Sequence, residues 1–189
     1  MGKKSETKFN NDHIYVHILQ IKQIQRLIVD ASSLIYLDKL NLLNLLSQNL
    51  SLFTITDIIS EIGTDCQSRA QVTILPPLSH DPNYDKLISD RKIVLQAIAT
   101  KMPVLSDDGR IVRAGFDGGF TVYQAIFIVL WLHFNNIISQ TDYWNARNQL
   151  ADFALYAPKL LAQADQLLFM FGKYFWNKKR HLIGAPGLR

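Results

Sequence analysis

Between residues 26 and 108 short apolar runs alternate with longer segments of helical periodicity. The runs are RLIVD at 26–30, SLFTIT at 51–56, QVTILPP at 71–77 and MPVLSDD at 102–108. Leu27, Ile28 and Val29 leave no polar side to show, which is the signature of a strand covered on both faces. The intervening SSLIYLDKLNLLNLLSQNL (32–50), DIISEIG (57–63) and HDPNYDKLISDRKIVLQAIATK (80–101) carry apolar residues at helical spacing. Strands alternating with helices imply right-handed crossovers and a mainly parallel sheet. The expected fold is a three-layer α/β/α sandwich, and a hydrophobic content of 48% suffices for its core.

Helix boundaries follow from capping residues. Ser32 or Ser33 can cap the first helix, Thr56 or Asp57 the second with Gly63 at its stop, and Asp81 or Asp85 the third. A short helix from DGRIVRAG is expected to lead through Asp117, Gly118 and Gly119 into the most apolar segment, FTVYQAIFIVLWLHFNNII at 120–138. A bilayer helix needs ~20 predominantly apolar residues. This one carries Gln124, His133, Asn135 and Asn136, so it reads as a buried helix or a subunit interface.

Three units are expected: residues 1–24 as an N-terminal arm or extra strand, 25–139 as the α/β domain, and 140–189 as a helical extension packed on it. Pro158 marks a boundary or kink in the extension. The spacing of His13 and His17 would suit a metal pair on a helix, but their neighbours alternate as in a strand. GKYFWNKKR at 172–180 interleaves aromatic and basic side chains and reads as packing aromatics or as a base-stacking surface. A net charge of +4 fits an anionic partner without requiring one. The lone Cys66 and the polar first residues point to a cytoplasmic protein. No P-loop, zincin, serine-hydrolase or CxxC motif is present.

The acids carry the chemistry. In a parallel sheet, sites form beyond the carboxyl ends of the strands, which puts Asp30 and Asp107/Asp108 on one rim. Glutamate is scarce: only Glu6 and Glu61 occur among 16 acids. Glu61 lies on the helix after the second strand, and Asp90 opens the helix before the fourth. Each alone has a structural reading as a cap, turn or solvated residue. Together, four acids from four segments form the constellation expected for hard divalent cations.

LIVDASSLI, TDIISEIG and SDRKIVLQAIATKMPVLSDD resemble the PIN domain family, small α/β nucleases that include toxin ribonucleases of bacterial toxin–antitoxin pairs. The resemblance covers about residues 26–139. Asp30 and Ser32 match the family's first block and Glu61 its second; Asp90, Ala97, Ala99, Val104, Leu105, Ser106, Asp107 and Asp108 match its third in order. It implies a ribonuclease whose acidic quartet, Asp30, Glu61, Asp90 and Asp108, binds Mg2+ or Mn2+, with Asp107 sharing that duty or replacing Asp108. Ser32 and Ser106 would orient carboxylates or a water, and Arg110 or Arg113 would hold a substrate phosphate. RNA, an antitoxin protein and a second copy of the chain are the implied partners, with no membrane. The helical extension departs from the family's often compact C-terminal end, and Gly109 loosens the turn after the double acid. Two rival readings remain: a catalytically silent PIN-like binding or regulatory module using the aromatic C-terminal helices, and a nuclease acting on DNA or structured RNA.

Overall fold

β1 (Arg26–Val29) is the central strand, and its Leu27, Ile28 and Val29 are fully buried, as a strand with a parallel neighbour on each edge and helices on each face must be. The structure, a computed structural model, describes residues 18–79 and 82–182. β2 (Ser51–Thr54) pairs with β1 on one edge, Leu27 opposite Leu52, and β4 (Val104–Leu105) on the other, Ile28 opposite Val104. β3 (Thr73–Ile74) and β5 (Val122–Tyr123) flank these, giving the order β3-β2-β1-β4-β5 with every pair parallel.

At least one helix follows every strand, and two lie between β3 and β4. A helical stretch, α1, covers residues 18–22; α2 (Ala31–Lys39) and α3 (Leu43–Ser47) follow β1, and α4 (Thr56–Ala70) follows β2. α5 (Pro82–Asp85) and α6 (Ser89–Thr100) lead into β4, α7 (Gly109–Gly118) into β5, and α8 (Ala125–Phe134), α9 (Gln140–Phe153) and α10 (Pro158–Leu182) follow β5. α2, α3 and α4 pack on one another and α6 packs on α7, which gives the expected α/β/α sandwich.

Several local expectations are corrected. Asp30 itself, rather than Ser32 or Ser33, caps α2, its side chain accepting from Ala31 N at 2.8 Å. α4 begins after Ile55 with no side-chain cap, and it runs beyond Gly63, which kinks it at φ 74°. α6 likewise begins after Ile88 with no side-chain cap; Asp85 lies inside α5, and Asp81 is outside the described residues. The 120–138 segment is not one helix, because Val122 and Tyr123 pair with β4 before α8 begins. α8 is buried at eight of its ten residues, and among the described residues no helix is long and apolar enough to cross a membrane. Residues 18–22 are helical rather than a strand, whereas His13 and His17 fall outside the described residues, as do the side chains of 174–180.

The extension shares the core. Tyr143, Ala146 and Leu150 of α9 and Ala164 and Leu168 of α10 join the cluster that contains β1, and Phe171 stacks on Phe134 with ring centroids 4.0 Å apart. Pro158 stands at the first residue of α10, where its missing N–H leaves nothing unpaired.

One close approach sets the site. Gly115 of α7 lies against β5, where a Cβ would overlap Val122 Cγ2 and stand 3.0 Å from Phe120 O. Asp108 caps α7, and β5 holds Ser106, whose N–H donates to Tyr123 O at 2.9 Å. We expect Gly115→Val to force α7 off β5 and lower stability by about 1–3 kcal/mol, read by urea denaturation. An unchanged midpoint would show that the contact gives way freely.

Candidate active site

The chain builds β1, β2 and β3 outward on one side and then returns to place β4 and β5 on the other. The order reverses between β1 and β4, and the crevice beyond the carboxyl ends of strands at such a point is where α/β proteins bind ligands. Asp30 follows β1 directly, and Ser106, Asp107 and Asp108 follow β4.

Asp30 is 5% exposed and fully engaged. Its Oδ2 accepts from Ser32 Oγ at 2.7 Å and Ser106 Oγ at 3.0 Å, its Oδ1 accepts from Ala31 N, and its own N–H donates to Leu105 O at 3.0 Å. Both serine hydroxyls thus donate to the same oxygen of one carboxylate. The Ser106 bond to Asp30 joins the ends of β4 and β1, and the same Oγ accepts from Asp108 N at 3.1 Å within the turn after β4.

Asp107 and Asp108 point to different tasks. Asp107 accepts from Ser33 Oγ at 2.6 Å, from Tyr156 Oη at 2.5 Å and from Ala125 N at 3.2 and 3.3 Å. Burial raises its pKa, while the Ser33 and Tyr156 hydroxyls oppose that rise. Its oxygens are committed to tying together α2, α8 and the chain before α10, so this geometry does not make it a ligand in place of Asp108. Asp108 caps α7 by accepting from Arg110 N at 2.7 Å. The Arg110 guanidinium, bonding Asp108 through Nε at 3.2 Å and Nη2 at 2.9 Å, holds that carboxyl below its ordinary pKa.

Glu61 and Asp90 complete the group. Glu61, exposed on α4, accepts from Ser89 Oγ at 2.7 Å, which brings α4 beside the start of α6. Asp90 Oδ2 is buried and accepts no directed hydrogen bond, although Arg110 Nη2 lies 2.8 Å away as an ion pair. Burial is the largest cause raising the Asp90 pKa; Arg110 opposes it, and the charges of Asp108, Asp30 and Glu61 add to it. The four acids are thus close enough to act on one another.

The donor set is all oxygen, and Asp90 Oδ2 is a buried oxygen without a directed donor, so these residues suit a hard divalent cation. Among the described residues no three acid, histidine or cysteine side chains already stand in ligating arrangement. Arg110 is turned into the acids rather than outward toward a phosphate, whereas Arg113, a turn further along α7, is exposed.

Ser33, Ser89 and Tyr156 are missed by sequence reasoning. Ser33 was legible only as a cap; Ser89 and Tyr156 act across 28 and 49 residues, with no local pattern to announce them. In comparison with known proteins, no family model, no curated protein and no solved structure matches this chain.

Tyr156→Phe would leave the Asp107 carboxylate one donor short. We expect a loss of about 1–3 kcal/mol near neutral pH. Because the folded-state pKa of Asp107 is raised, its ionisation works against the fold as pH rises through that value, and losing the Tyr156 donor steepens this loss. The difference between variant and wild type should therefore shrink as pH falls toward about 4, read by denaturation at a series of pH values. A pH-independent difference would show that Tyr156 acts by packing alone.

Proposed function

We propose that the protein is a metal-dependent ribonuclease of PIN type, which hydrolyses RNA phosphodiester bonds at a centre formed by Asp30, Glu61, Asp90 and Asp108 with Mg2+ or Mn2+. The observation that carries this reading is the buried, undonated Asp90 Oδ2 among three further carboxylates at the switch point of the sheet. Carboxylates held close together repel one another, and a divalent cation reverses that repulsion. When bound, such an ion supplies an activated water and charge stabilisation for the leaving oxygen.

The chain's own residues prepare this. Asp30 is aimed by Ser32, Ser106 and the first N–H of α2; Asp108 is fixed as the cap of α7; Glu61 is steadied by Ser89. Arg113, exposed a turn past Arg110, is the residue we assign to a substrate phosphate. A biological role as the toxin of a toxin–antitoxin pair, with an antitoxin protein and a second copy of the chain as partners, is what the resemblance to the PIN family implies.

A second reading, the silent PIN-like module, is favoured by the Arg110 contacts, since an arginine paired with Asp90 and Asp108 already neutralises part of the group.

Thermal melts of wild type and Asp30→Asn with and without Mn2+, followed by cleavage of a labelled single-stranded RNA, separate the two. We expect Mn2+ at about a hundredfold its Kd to raise the wild-type midpoint by roughly 5–10 °C. Asn keeps the cap of α2, so Asp30→Asn should fold yet show little shift. Its cleavage should fall by more than the roughly 10- to 100-fold typical of losing an outer-shell partner. Absence of both metal response and cleavage in wild type would leave the silent module standing.

A further inference from the structure

Arg110 is placed as if it belonged to the cation site. It lies in the first turn of α7, and its guanidinium reaches two acids from different helices: Asp108 at the α7 cap, 2.9 Å from Nη2, and Asp90 on α6, 2.8 Å from the same nitrogen. Asp90 Oδ2 is buried and takes no directed hydrogen bond, so Arg110 meets it by charge alone. The Arg110 side chain is itself 72% exposed; its guanidinium contacts these two acids, and its backbone N–H donates to Asp108 at the helix end.

From this geometry we infer that Arg110 is a built-in countercharge, occupying the oxygens a divalent cation needs and leaving them by exchange when the cation binds. The inference rests on the metal-dependent reading above and adds a control to that site. An ion pair whose arginine is largely exposed adds little to stability; its larger effect falls on whatever competes for the same carboxylates. Asp30 also acts on the Arg110 charge, so the guanidinium responds to a third member of the quartet. Its exposure leaves it free to swing outward without disturbing the core, and Gly109, immediately before it, meets no neighbour within 4 Å of where a Cβ would lie. Because coupling between two occupants of one site is reciprocal, a guanidinium that the ion must displace weakens the ion's binding by the same factor.

The test measures Mn2+ binding by calorimetry, and the melting midpoint without metal, in wild type, Arg110→Gln and Arg110→Lys. We expect Arg110→Gln to bind Mn2+ on the order of tenfold more tightly and to melt about 1–4 °C lower without metal. Arg110→Lys keeps the charge and should stay nearer to wild type. Equal Mn2+ affinity in wild type and Arg110→Gln would overturn the exchange. Weaker binding in Arg110→Gln would also overturn it, by making Arg110 a support of the site. If wild type binds no Mn2+, the Arg110→Gln result decides between the two readings: binding that appears only in the variant upholds the countercharge, whereas none in either removes the metal reading and this inference together.

Discussion

The parallel pairing of β1 with β4 puts the ends of two buried strands side by side, and the acid that follows each comes with it. Everything else at the rim answers the repulsion this creates. Asp30 receives two serine hydroxyls and a helix N–H, Asp108 receives the Arg110 guanidinium, and Glu61 receives Ser89. Among the acids of the described residues, Asp90 alone has a buried side-chain oxygen with no directed donor. Ser106 does double duty, donating to Asp30 while accepting from the backbone of Asp108, so one hydroxyl links the end of β1 to the turn that carries Asp108.

Asp107 and Asp108 are neighbours in sequence with opposite environments. The turn after β4 sends the first inward, where burial raises its pKa, and the second outward to the cap of α7, where Arg110 lowers it. One protonation-averse and one protonation-prone carboxylate in consecutive positions is a separation by environment, not by residue type. The inward one ties the extension to the rim through Tyr156, and the outward one faces the other acids.

The strands around Asp30 were legible because buried parallel strands carry continuous apolar runs, and so was the rim placement of the acids. β5 was not legible, because two residues of strand sit at the head of a segment whose apolar content continues into α8 without a break in composition. The cap of α2 was misassigned because Asp30, Ser32 and Ser33 are all good capping residues, and only the three-dimensional direction of β1 decides among them. Gly63 reads as a stop in sequence, yet the chain resumes helical geometry beyond it, since packing of α4 on α2 and α3 continues past the kink. Arg110 as a partner of Asp90 required knowing that α6 and α7 lie side by side.

The extension follows from the same physics. α8 is apolar nearly all round, and a helix of that kind must be covered on every side. α2 lies on part of it, and α9 and α10 pack on it as well, with Tyr143, Leu150 and Leu168 reaching the common core. Ala125, the first residue of α8, donates to Asp107, and Tyr156, between α9 and α10, donates to the same carboxylate. The residues past 139 thus close the core under α8 and supply one of the donors that hold the turn carrying Asp108, so the extension and the acidic rim are parts of one packing unit.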